Sequence, residues 1–280
     1  MLTWYKAIVL GFVQGATEFF PVSSSAHLVI AQNWMGIRES AQTMAAFDVS
    51  LHVGTLVAAI LFFRWDLAWL FGVWIKPWRA KLKTKQISTA IKEPSARRLG
   101  GLVILGIIPV CFVGVFFHQF FEDLFSDTMM VALFLLITGA IINATRKVQN
   151  NTVLLENITF KQAFLIGVAQ IFSILPGISR SGTSISAGLF VKLNPESSFR
   201  FSFLMMIPIV GGAVILELRH LSHMAPPMIL SAFLGAVMAG FVGYNCIGLM
   251  LNWMRQGKFA NFAYYCWTLG TLVILKEMFF

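Results

Sequence analysis

The chain has 280 residues, 58% of them hydrophobic and only 12% charged, whereas soluble domains carry roughly 25% charged residues. A soluble fold of this length has no interior large enough for 27 phenylalanines and their apolar company, but lipid tails solvate such a surface. The net charge of +9 would suit a nucleic-acid partner, yet most Lys and Arg residues stand in short loops between apolar runs. That pattern orients membrane proteins and leaves no nucleic-acid partner to expect. Cys111, Cys246 and Cys266 all fall in apolar stretches and read as small hydrophobes without a disulfide framework. The cationic start and Ser23-Ser24-Ser25-Ala26 mimic a signal peptide, but Glu18 interrupts the apolar region and further membrane segments follow, so no cleavage is expected.

In chain order, the first apolar stretch, 5–35, is broken halfway by PVSSSAH at 21–27. A somewhat polar but sufficiently long span follows at 47–64, then spans at 99–117 and 128–145. The second broken stretch, 161–192, is interrupted by PGISRSGTS at 176–184, and spans at 198–217, 227–251 and 259–278 complete the chain. A continuous helix does not tolerate proline, glycine and an arginine at mid-depth in lipid. Two short helices meeting at a turn do, if protein or a polar cavity surrounds the turn. The reading is an all-α polytopic membrane protein: six transmembrane helices plus two re-entrant helical hairpins, in one integral membrane domain covering 1–280.

Loop charge sets the orientation. Residues 64–98 carry nine Lys and Arg against Asp66 and Glu93, which places that loop in the cytoplasm. Alternation then puts 118–127, with Glu122, Asp123 and Asp127, outside, 146–161 and 252–258 inside, and both termini outside. The two halves also resemble each other. GFVQGATEFFPVSSS at 11–25 lies on GVAQIFSILPGISRS at 167–181 with a one-residue slip, and Phe47-x-x-Ser50 matches Phe199-x-x-Ser202. The copies, about 1–65 and 161–220, would be inverted in the membrane, an arrangement that places a site at their interface near mid-depth.

The residues suited to chemistry gather in the two breaks. Glu18 is read as the acid of the hydrophobic segments, with Gln14 four positions earlier on the same helical face. A carboxylate in lipid needs a cation, a metal or a proton. Arg180 sits among Ser179, Ser181, Gly182, Thr183 and Ser184. Its guanidinium fork fits phosphate oxygens, and a helix beginning near Ser181 adds its N-terminal field. Gly177 and Gly182 let backbone approach a ligand. A helix starting after Pro21 sets His27 beside Ser23 and Ser24, giving a nucleophile with its base or two phosphate-holding donors. His52, His118, His220 and His223 lack such company and read as core or loop residues. Acid, imidazole, hydroxyls and arginine inside an apolar protein suit a doubly anionic head group on a hydrophobic tail, whose cleavage rests on positioning and charge stabilisation.

QGATEFFPVSSSAH at 14–27, followed by PGISRSGTS at 176–184, resembles the two signature regions of the undecaprenyl-diphosphate phosphatase (bacitracin-resistance) family. The resemblance covers nearly the whole chain in length, segment order and both signatures. It implies an enzyme of the bacterial inner membrane that converts undecaprenyl diphosphate to the monophosphate and phosphate. Such an enzyme recycles the lipid carrier for peptidoglycan and other wall polymers, uses a divalent cation (Mg²⁺ or Ca²⁺), lowers bacitracin sensitivity and opens its site to the periplasm. By the same resemblance Gln14 and Glu18 fill the Glu/Gln-x-x-x-Glu element as metal-holding positions, Ser24 and His27 match its serine and histidine, and Arg180 its arginine. Gln14 replaces the carboxylate often found there, one metal ligand fewer, and Ser184 stands where threonine is usual.

The expectation is metal-assisted hydrolysis. Ser23, Ser179, Arg180, Ser181, Gly182, Thr183 and Ser184 would bind the diphosphate, Glu18 with Gln14 would hold the cation, and His27 would serve as base or nucleophile. Ser24 is the competing nucleophile, and alanine at Glu18, His27 or Arg180 would abolish turnover. The rival reading is a transporter or flippase for polyprenyl phosphate lipids, since inverted repeats and half-helices serve transport as well. Membrane lipids form the surroundings on either reading, and an oligomer is compatible with both.

Overall fold

The computed structural model describes residues 2–72, 93–122, 127–148, 151–217 and 226–279. The expected loop charges at 73–92, Asp123, His220 and His223 lie outside the described residues, as does the side chain of His118. Among the described residues there are eleven α-helices: α1 (Trp4–Glu18), α2 (Ser24–Trp34), α3 (Ala41–Phe62), α4 (Arg64–Gly72), α5 (Glu93–Glu122), α6 (Thr128–Ala144), α7 (Phe160–Gln170), α8 (Arg180–Phe190), α9 (Pro195–Glu217), α10 (Pro226–Arg255) and α11 (Phe262–Phe279). Five of these, α3, α5, α6, α9 and α10, contain windows long and apolar enough to cross a membrane. The 18-residue α11, expected as a further span, is not among these five and carries Lys276 and Glu277 near its end.

The helices begin where local chemistry allows. Ser40 accepts from Thr43 N ahead of α3, Asp127 from Met129 N and Met130 N ahead of α6, and Ser179 from Gly182 N ahead of α8. Thr159 and Gln162 form a reciprocal capping box at α7. Pro195 opens α9, where its missing N–H costs nothing.

The breaks read from sequence are real interruptions of helix. α1 has 15 residues and α2, α7 and α8 have 11 each, all short of the ~20 that a span requires. Between α1 and α2 the chain turns at Pro21 with Ser23 at φ 65°, a left-handed conformation that a side-chain-bearing residue adopts only under tertiary constraint. The second turn holds Gly177 at φ 99°, where a Cβ would also strike the Val131 carbonyl.

Packing relies on small residues at helix crossings, as lipid-embedded helices require. A Cβ on Gly11 of α1 would overlap the Gly235 carbonyl of α10, and one on Gly167 of α7 would overlap the Gly106 carbonyl of α5. Gly167→Val should therefore cost about 1–3 kcal/mol, measured as a lower melting temperature in detergent; an unchanged melting temperature would mean that these backbones do not touch. Under the crossings lies an aromatic core in which Phe19, Phe63, Phe199 and Phe203 are all fully buried, Phe199 and Phe203 with ring centroids 4.5 Å apart. The outer surface is apolar too, with Phe116, Phe233 and Phe241 more than 60% exposed, the reverse of a water-facing protein. At one end Arg200 pairs with Asp66 and Glu196, and Arg255 with the same Glu196, joining α9, α4 and α10.

Candidate active site

The two interrupted segments meet at their turns. Ser181 Oγ, at the start of α8, donates to the carbonyl of Phe20 in the turn after α1, 3.0 Å away. Thr138 of α6 clamps the second turn, donating to the Gly177 carbonyl and accepting from Ser179 N. Cys266 lies against the Pro21 carbonyl in the first turn.

This junction brings together the charges that the sequence separates by 162 positions: Arg180 Nη2 donates to Glu18 Oε1 at 2.5 Å. The Glu18 side chain is 4% exposed and that of Arg180 17%. A pair so shielded from water interacts strongly but has also lost its hydration, so removing one member leaves a costly bare charge. The other carboxylate oxygen, Oε2, accepts from Ser24 Oγ at 2.5 Å and from Gln14 Nε2 at 3.1 Å. Ser24 is thus the one hydroxyl of the first cluster bonded to the acid.

His27 is placed otherwise. Its Nδ1 lies 2.8 Å from the Ser23 carbonyl, which can only accept, so Nδ1 carries the hydrogen. In the neutral ring Nε2 then accepts from Tyr265 Oη at 2.7 Å, and the two rings stack at 5.6 Å. Both nitrogens are engaged away from Glu18. Ser23 Oγ meets Ser25 Oγ at 3.2 Å and caps α2 through Ala26 N.

In the second cluster Ser179 is the α8 cap and also meets Ser181 Oγ, while Ser184 donates to the Arg180 carbonyl and meets Ser202 Oγ. Gly182 packs against Ser179 and Pro21. Thr183 Oγ1 and Gln14 Oε1 are buried without a hydrogen-bond partner. Such atoms are rare in folded proteins.

Several members escaped sequence reasoning. His52 of α3, expected as a core or loop residue, has its Nε2 3.9 Å from Glu18 Oε2. Glu18 is also not the only acid in a hydrophobic helix, since Asp48 lies in α3 and accepts from Gln32 of α2 at 2.9 Å. The spacing Asp48-x-x-x-His52 was the available signal, a polar pair on one face of a span. Tyr265 and Thr138 carried none. Beside the site, Thr17, Phe20, Val22, Trp253, Phe262 and Tyr265 line an apolar groove of about 550 Å³.

Apolar helices long enough to cross a membrane, gathered around a buried acid–arginine pair at the meeting of two broken segments, define a multi-pass membrane protein. The Bacitracin resistance protein BacA family matches residues 7–272, and the chain belongs to that family. Relatives named undecaprenyl-diphosphatase are similar over almost their full length. The protein of Methanobrevibacter smithii is 37% identical over 274 residues, 98% of this chain and 97% of its own. That of Desulfatibacillum aliphaticivorans is 38% identical over 279 residues, 98% and 99%. That of Halothermothrix orenii is 36% identical over 273 residues, 97% of each.

Proposed function

We propose that this chain hydrolyses undecaprenyl diphosphate to undecaprenyl phosphate and phosphate, returning the lipid carrier to cell-wall polymer synthesis and thereby lowering bacitracin sensitivity. One observation carries the reading: a single buried carboxylate holds both the Arg180 guanidinium and the Ser24 hydroxyl, in a chain whose relatives bear the name of that enzyme. Arg180 spends one donor on Glu18 and has others for phosphate oxygens. The α8 N-terminus and the hydroxyls of Ser179, Ser181, Thr183 and Ser184, with Ser23 and Gly182, complete the diphosphate site. The apolar groove beside Tyr265 gives the isoprenoid tail a place to lie.

Of the two nucleophile candidates Ser24 is the better placed. Glu18 Oε2 takes its proton, Oγ bonds to the terminal phosphorus, and the bond from that phosphorus to the bridging oxygen breaks, with undecaprenyl phosphate leaving on the electron pair. Water then cleaves the Oγ–P bond, Glu18 returns the proton to Oγ, and phosphate departs. Arg180 stabilises charge on the transferring group throughout. His27, held by Ser23 and Tyr265, keeps a polar wall around the head group.

The donor set suits Mg²⁺ or Ca²⁺, because Glu18 and Gln14 offer hard oxygens and Gln14 Oε1 is a buried acceptor without a partner. Among the described residues no three His, Cys, Asp or Glu side chains form a metal group, so substrate phosphates would supply the remaining ligands. Such a cation, when bound, neutralises charge on the diphosphate. EDTA should accordingly stop turnover and added Mg²⁺ or Ca²⁺ restore it, read as phosphate release; full activity in EDTA would remove the metal from the scheme.

The same reading makes the two interrupted units re-entrant hairpins of an inverted repeat, with α11 as the sixth span. Their helices of 11 to 15 residues support it, as do the matching crossings of Gly11 on α10 and Gly167 on α5. Both termini and the mouth of the site then face the periplasm of a bacterial inner membrane. The deciding experiment is phosphate release by purified protein in detergent across several prenyl diphosphates. The names of the relatives do not favour the transporter reading, and release without a sealed compartment separates the two. No release from any prenyl diphosphate would overturn the enzyme.

A further inference from the structure

His52 sits in a membrane-crossing helix and has no part in the reaction above, yet it faces the reacting groups. Its Nδ1 lies 2.8 Å from the Asp48 carbonyl oxygen. A carbonyl only accepts, so Nδ1 carries the hydrogen and the neutral ring presents a lone pair at Nε2. That lone pair stands 3.9 Å from Glu18 Oε2, which accepts from Ser24 and Gln14. Two electron-rich atoms therefore oppose each other, too far apart for a direct hydrogen bond and at a separation that one small donor between them bridges. The imidazole is 31% exposed while the carboxylate is 4% exposed, so the gap is open on the side of the ring. The ring is also held in place by the Nδ1 bond to the backbone of its own helix.

We propose that His52 belongs to the active site and, together with Glu18, holds the water molecule that hydrolysis consumes. The proposal rests on the phosphatase reading. Before the serine proton transfers, Nε2 accepts one hydrogen of this water and Glu18 Oε2 the other; once Oε2 carries the serine proton, Nε2 keeps the water in place with an oxygen lone pair free to face phosphorus. In the second half of the reaction that oxygen forms the new bond to phosphorus while the bond from phosphorus to Ser24 Oγ breaks. The electron pair goes to Oγ, which recovers the proton held by Glu18, and both hydrogens of the water leave with the phosphate. What the position needs is a hydrogen-bond acceptor at the right reach. Glutamine supplies one through its amide oxygen; leucine and alanine do not.

The test is steady-state phosphate release by purified wild type, His52→Gln, His52→Leu and His52→Ala, with melting temperatures in the same detergent. For a residue that aligns a reactant, the Leu and Ala variants should lose about 30-fold in kcat with KM within about twofold and unchanged melting, while the Gln variant stays within about fivefold of wild type. A packing role would not produce a kcat-only loss that glutamine repairs. The proposal is overturned if the Leu variant keeps kcat within about twofold, if Gln falls as far as Leu, or if the loss lies in KM alone. Should Leu and Ala fail to fold, His52→Asn, whose amide is too short to reach, takes their place with the same expected loss and the same overturning results. Wild-type protein that releases no phosphate would instead sink the functional reading itself, a distinguishable failure.

Discussion

Replacing Arg180 with alanine should lower phosphate release from undecaprenyl diphosphate by about 10³-fold or more, the scale on which an arginine that stabilises a transferring phosphoryl group acts. Two effects add here. The diphosphate loses its fork of donors, and Glu18 loses the cation bonded to Oε1. Because both side chains are largely shielded from water, the bare carboxylate should also cost about 3–5 kcal/mol of stability. Arg180→Lys keeps the charge without the fork and should recover folding more fully than turnover. Removing both charges together, as Glu18→Gln with Arg180→Gln, should restore much of the melting temperature and none of the activity. Purified Arg180→Ala with wild-type kcat would end its role as the phosphate grip.

The second large effect is expected at Ser24. Its Oγ bonds to Glu18 Oε2 at 2.5 Å, so Ser24→Ala should remove the nucleophile and lower kcat by about 10³-fold or more. The same substitution takes away one hydrogen bond to a carboxylate and should cost about 1.5–3 kcal/mol in stability. Acid-quenched wild type turning over a diphosphate labelled in its terminal phosphate should carry label on the protein, and Ser24→Ala should not. Near-normal turnover in Ser24→Ala, with label kept on the chain after an alkaline quench and lost in acid, would transfer the role to His27.

The core of this site was legible because of a cost that lipid imposes. One carboxylate and one guanidinium, each in a broken apolar stretch, cannot remain unpaired in hydrocarbon, so Glu18 and Arg180 had to meet. Proline, glycine and hydroxyl clusters likewise marked the interruptions, and the start of α8 falls within a residue of the position expected. Periodicity could not say which face of the 47–64 span points inward, and His52 and Asp48 were hidden there. Asp48 went unread because it stands near the start of a span otherwise apolar enough to pass. Nor could spacing reveal that Tyr265, 238 positions from His27, would occupy the nitrogen expected to serve as base. Thr138, whose hydroxyl ties down the second turn, looks in sequence like any threonine of an apolar helix.

The distance along the chain between Glu18 and Arg180 has a consequence for biogenesis. The ribosome makes the carboxylate 162 residues before its partner, an interval of roughly 8 to 32 s at about 5–20 residues per second. For that time the leading helical pair must be sheltered by the insertion machinery or lie shallow at the headgroups. Its final depth is reached only after the trailing half has threaded in. Nascent chains arrested before residue 180 should therefore leave Glu18 within reach of water-soluble reagents, and those arrested well after it should not.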